Sequence, residues 1–194
     1  MKRQFMTIPF GKGEKRIVVT FCRKPMQKGL AGFVRGKSLS GKLTLIVSSL
    51  PSALSGFDFA ALADYGSDVY GIIMTPEIFH GIRRGDALAR TCLFHELGHV
   101  QQRHASQPHP DYSAEDLERY RLASEGTVSP QELKADAFAA AYLGSACVAE
   151  GLSEIRAYQV QRLFDPAYDR EAVEVAVREL DRRIAELQMT RLQT

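Results

Sequence analysis

The sequence predicts an α+β fold: an N-terminal mixed sheet lobe, a helical C-terminal lobe, and an active-site helix at the lobe junction. Three observations predict it. The first third carries β-branched runs bounded by Gly, Pro and Ser, as in KRIVVTFC (15–22) and KLTLIVSSL (42–50). From Gly85 onward the apolar residues fall at helical spacing. The chain has 194 residues, 45% apolar and 25% charged, which suits one domain around a real core. We therefore expect a single domain over 1–194, with 1–105 as the α/β lobe and 106–194 as the helical lobe.

The elements follow in order. Strand 15–22 comes after a Gly-Lys-Gly turn, and strand 42–50 is ended by Pro51. SALSGFDFAALADYG (52–66) has apolar spacing that predicts a helix closing at Gly66. DVYGIIMTP (68–76) predicts a short strand stopped by Thr-Pro. Asp86 is placed to cap a long helix over 87–104. QPHPDYS reads as a loop, 114–124 as a polar helix, and GTVSP as the lead into a helix over 130–149. Segments 153–164 and 167–191 are also predicted helical. In the last, Val173, Val177, Leu180, Ile184 and Leu187 repeat with 4-3-4-3 spacing. That seam spans little more than two heptads, which favours docking on the chain's own helices over a coiled coil with a partner.

Composition excludes several classes. Cys22, Cys92 and Cys147 are odd in number, far apart and without a CxxC pair, which speaks for a reducing compartment rather than a disulfide framework. The N-terminus lacks an apolar segment of signal-peptide length. The longest apolar-rich run, AFAAAYLGSACVA (137–149), is too short and too rich in Ala to span a bilayer. A soluble, cytoplasmic protein without membrane attachment is expected. The net charge of +2 hides an asymmetry, because residues 1–60 carry 11 Lys or Arg against Glu14 and Asp58 alone. A basic third of this kind suits an acidic partner or nucleic acid. No aromatic-basic pattern supports nucleic acid specifically, and a solvated sheet face guarded by lysines explains the charge as well.

The chemistry is concentrated in FHELGHVQQRH (94–104). Residues i and i+4 share a helix face, about 5–6 Å apart at Cβ. His95 and His99 can therefore reach one metal ion at about 2.0–2.1 Å. Glu96 lies about 100° round the helix from His95, where it flanks the ion and can take a proton from a water there. The alternative is a histidine pair satisfied by its neighbours. Gly98 speaks against it, since Gly inside a helix costs about 1 kcal/mol relative to Ala and wants a reason such as close approach of another backbone.

The third ligand is not His104. The spacing HExxHxxGxxH needs Gly at 102 and His at 105, where this chain has Gln102 and Ala105. His80 and His109 stand in loop-like contexts without motif support, and Cys92, one turn before His95, reads as a buried apolar thiol. QELKADAFAAAYL (131–143) is the better source. Glu132 and Asp136 share a helix face; Glu132 can offer a carboxylate oxygen to the metal, and Asp136 can accept the outer N–H of a liganding histidine. The small residues that follow let two helices come close. Ser129-Pro130-Gln131-Glu132 is also a capping box with Pro at N1, and on that segment alone capping is the stronger reading. Beside HExxH, ligation takes precedence.

HELGH followed by ExxAD on a later helix resembles the gluzincin zinc metallopeptidases, in the style of soluble minimal gluzincins and ImmA/IrrE-type proteases. The likeness covers roughly residues 68–145. It implies a zincin-like fold and a zinc ion held by His95, His99 and Glu132. It further implies Glu96 as catalytic base and then proton donor, and Asp136 as the partner of His95. The implied activity is peptide-bond hydrolysis on a protein or peptide substrate, which would lie extended along the strand at 69–74. An oxyanion donor is also implied, for which Tyr142, Tyr120 and His109 are the candidates. The alternative is a regulatory or partner-binding protein that keeps zinc as a structural element.

Overall fold

The computed structural model describes the backbone of residues 2–10, 13–22, 43–49, 59–64, 69–102, 118 and 121–192. Side chains are described for 70–102 and 121–189, and for residues 47, 49, 59, 60, 62 and 118. The strands are β1 (Lys2–Phe10), β2 (Gly13–Cys22), β3 (Leu43–Ser49), β4 (Ala60–Asp64) and β5 (Val69–Met74). The helices are α1 (Pro76–Arg84), α2 (Ala87–Gln101), α3 (Pro130–Leu143), α4 (Ser145–Arg162) and α5 (Arg170–Leu192). Contacts divide the chain into two units: Met1–Arg83 with His99–Pro110, and Arg84–Gly98 with Asp111–Thr194. Helix α2 runs through the division.

The expected fold class, α+β with an N-terminal mixed sheet lobe, is overturned. The part described in both backbone and side chains is 75% helical, with only one short strand and no sheet. That strand is β5, with Tyr70, Ile72 and Met74 buried. Elsewhere in the first unit the description is one of backbone pairing, in the order β1-β2-β3-β5-β4. The β-branched runs dictate extended backbone, but paired strands become a lobe only by burying a face in a core. One core cluster lies among the helices, and Val47, Leu62, Tyr70, Ile72 and Met74 of the strands are buried as well.

Two further expectations are corrected. Within 52–66, residues Ala60–Asp64 are a strand rather than a helix and pair antiparallel with β5, Leu62 opposite Ile72. Ala and Leu favour helix on their own, so pairing with β5 overrides local preference here. Strand 69–74 is also not an edge open to a substrate, because β5 pairs with β3 on one side and β4 on the other.

In the second unit, Ser129 caps α3, its Oγ accepting from the Gln131 N–H at 3.3 Å, with Pro130 at the first position. The helix expected over 130–149 ends at Leu143. Gly144 takes φ +83°, and its N–H closes on the Ala140 carbonyl at 2.8 Å. The chain then turns directly into α4. Of the expected polar helix 114–124, residues 118 and 121–124 are helical and the others lie outside the described residues.

Ala139, Val148, Leu152, Leu180 and Leu187 form the buried core of this unit, with Phe94, Ile155 and Ile184 packed against it. The 4-3-4-3 seam of α5 thus docks on the chain's own helices. Helix α2 meets α4 closely: a Cβ on Gly151 would stand 2.9 Å from the Ala87 carbonyl oxygen and closer still to Thr91. Among the described residues no helix is long and apolar enough to cross a membrane.

Gly151→Ala is expected to push α2 and α4 apart and to cost about 1–3 kcal/mol, the usual range for overpacking. Urea denaturation checks it: the midpoint falls while the slope is unchanged. A midpoint equal to wild type would contradict the close crossing.

Candidate metal centre

The site is built from α2, α3 and α5. His95 and His99 are one turn apart on α2, as their spacing requires. Glu132 and Asp136 are one turn apart on α3, both buried at 5% and 2% exposure. Gly98 explains how the two helices come near enough: a Cβ there would fall 2.8 Å from Ala135 Cα and 3.0 Å from its carbonyl oxygen. These are backbone atoms that cannot swing aside, so only Gly fits.

Donor atoms of His95, His99 and Glu132 all lie within 4.8 Å of one another and could hold a metal ion. His95 Nε2 is 3.2 Å from Glu132 Oε2. Two donors each bonded to one ion at about 2.0–2.1 Å and tetrahedral angles stand about 3.3 Å apart, so this pair is spaced for a shared ion. The other face of the ring is held as well, with Nδ1 2.8 Å from Asp136 Oδ1. An Nδ1–H donated to Asp136 leaves the Nε2 lone pair directed at Glu132 and the ion position. The Glu132 carboxylate faces His95 and Arg183 through Oε2, and Ser129 caps α3 through the Gln131 N–H.

Sequence reasoning missed Arg183. It is 5% exposed on α5 and forks onto Asp136, Nε donating to Oδ2 at 2.7 Å and Nη2 to Oδ1 at 2.7 Å. Its Nη1 is 2.9 Å from Glu132 Oε2 and 3.8 Å from Glu179 Oε1. In the sequence Glu179 and Arg183 look like an ordinary i,i+4 surface pair beside the heptad seam. The signal was Val175, apolar and four residues before Glu179. Val175, Glu179 and Arg183 form a second buried stripe on α5.

These charges move the titrations. Burial favours the neutral form of His95, but the Glu132 charge and the Asp136 hydrogen bond outweigh it and raise the ring to about 9. Burial also favours the neutral acid at Asp136, yet Arg183 and His95 bring it down to about 2. Burial, and then the charge of Glu96, push the Cys92 thiol up to about 12, and it is a buried core thiol outside the His95–His99–Glu132 group.

Glu96 is half-buried on α2. Tyr142 is taken into an aromatic cluster, its ring 5.5 Å from Phe94 and 4.9 Å from Phe138. His80 is on α1 rather than in a loop, exposed and edge-on to Phe79. His104, His109 and Tyr120 lie outside the described residues. No family model, curated protein or solved structure matches the chain.

Two predictions follow from the geometry. Gly98→Ala is expected to part α2 from α3 and weaken metal affinity by at least tenfold, read by chelator competition; wild-type affinity would contradict the crossing. The second concerns pH in metal-free protein. His95 is raised from 6.5 to about 9 in the fold, so its stabilisation is full below about 6.5 and is lost as pH rises through 9. Asp136 is lowered from 3.8 to about 2, so its stabilisation is present above 3.8 and lost as pH falls through 2. Thermal unfolding with chelator should therefore show stability falling from pH 6.5 to 9. Saturating metal, which replaces the Nε2 proton, should widen the gap between loaded and metal-free protein over the same range. A constant gap would contradict the assignment of Nε2 as ligand.

Proposed function

We propose that the protein is a zinc-dependent endopeptidase. The observation that carries this reading is the His95–Glu132 pair, spaced for a shared ion, with His99 beside it and Asp136 behind His95. Two imidazoles and one carboxylate are a donor set suited to zinc with a further position for water or substrate. Zinc held there would supply Lewis acidity, acidifying a water and polarising a peptide carbonyl. The chain's own residues do the rest. Asp136 fixes the orientation and tautomer of His95. Glu96, next to His95 in the sequence and outside the buried charge network, takes the proton of the attacking water and returns it to the leaving amine.

A second reading has its own support. The His95 and Glu132 side chains are only 12% and 7% exposed. A site this enclosed also suits a structural metal in a regulatory or partner-binding protein.

Three measurements decide between them. Purified protein should carry close to one zinc per chain; well under one, not restored by added zinc, rules out both readings. Glu96→Gln should keep the zinc and lower peptide cleavage by about 10²–10⁴-fold; undiminished cleavage removes Glu96 as the base. A small hydroxamate should bind the zinc-loaded protein if a coordination position is open, and its failure to bind favours the structural reading.

A further inference from the structure

We infer that Arg183 is a positioning residue of the metal centre, holding Glu132 and Asp136 in their ligating arrangement and making helix α5 part of the site. The inference rests on reading His95, His99 and Glu132 as a metal-binding group. It goes beyond the motif, which ends near residue 145.

The geometry is that of a clamp. One planar guanidinium donates two hydrogen bonds of 2.7 Å to the two oxygens of Asp136 and places its third nitrogen 2.9 Å from Glu132 Oε2. Asp136 Oδ1 is in turn the acceptor facing His95 Nδ1 at 2.8 Å. A single side chain thus fixes a ligand and the group that orients another ligand. The fork also sets a cation among the buried carboxylates of Asp136, Glu132 and Glu179. Docking of α5 has other support besides: Leu180 and Leu187 pack in the core, and exposed Arg156 and Asp181 pair α4 with α5 at the surface.

Charge alone makes the opposite forecast. A buried cation beside a dication repels it, so if charge dominated, removing Arg183 would tighten metal binding. If positioning dominates, removal loosens it. Lysine separates the two, because it keeps the charge and lacks the fork.

The test measures zinc affinity of the full chain by competition with a chromophoric chelator. Wild type, Arg183→Lys, Arg183→Met and the surface control Arg156→Gln are compared, with folding followed by circular dichroism. The expected result is a loss of about 10–100-fold in both Arg183 variants and a change within about twofold in Arg156→Gln. The His95 Nδ1–H resonance of the zinc-loaded protein, observed by NMR, should shift or vanish in Arg183→Lys while the fold is kept. Folded Arg183 variants that bind zinc as tightly as wild type, or more tightly, overturn the inference. If neither variant folds, the wild-type Arg183 Nε–H decides: slow exchange and a shift on zinc addition support the clamp, and insensitivity to zinc overturns it. A wild type that takes up no zinc removes the metal reading itself, and this inference with it.

Discussion

The helical unit is organised around a buried charge network. Arg183 spans Asp136 and Glu132, Asp136 holds His95, and His95 faces Glu132. Burying any one of these charges alone is prohibitive, and removing one partner from such a group typically costs about 3–5 kcal/mol. The network therefore demands that α2, α3 and α5 arrive together. That demand explains why the second buried stripe of α5 is charged while the seam beside it is apolar. The apolar seam fixes how tightly α5 docks; Glu179 and Arg183 fix its register against α3, since a one-turn slip would strand the guanidinium away from both carboxylates.

Backbone proximity is the second constraint, and small residues meet it. Gly98 sits against Ala135 in the step between His95 and His99, and between Glu132 and Asp136. The closest point of the two helices thus coincides with the pairs that face each other. Gly151 performs the same service about two turns nearer the N-terminus of α2, against Ala87 and Thr91 on the same helix face. Helix α2 is thus approached closely at two points along its length.

Much of this site was legible in the sequence, and the reasons are local. HELGH and QELKAD each place two groups one helical turn apart, and helical geometry alone brings each pair to one face. Gly98 was informative because Gly in a helix interior is costly unless something needs the space. Arg183 was not legible, because the i,i+4 spacing of Glu179 and Arg183 is what a solvated surface pair also shows, and burial depends on which face α5 turns inward. The fold class failed for a related reason. β-branched runs report extended backbone and say nothing of what the strands pack on, and the Ala-rich 60–64 stretch took its conformation from pairing with β5.

The charge balance of the network bears on how a metal would enter. Without one, His95 holds its proton between Glu132 and Asp136, so the locus already carries a positive charge where an ion would sit. Arg183 holds both carboxylates, Asp136 orients the ring, and Gly98 lets α2 and α3 come close. A metal ion bound there would replace the Nε2 proton. The apolar core of α3, α4 and α5 contains none of the three donor side chains, so that affinity for an ion would reflect competition with the proton and the fit of those side chains.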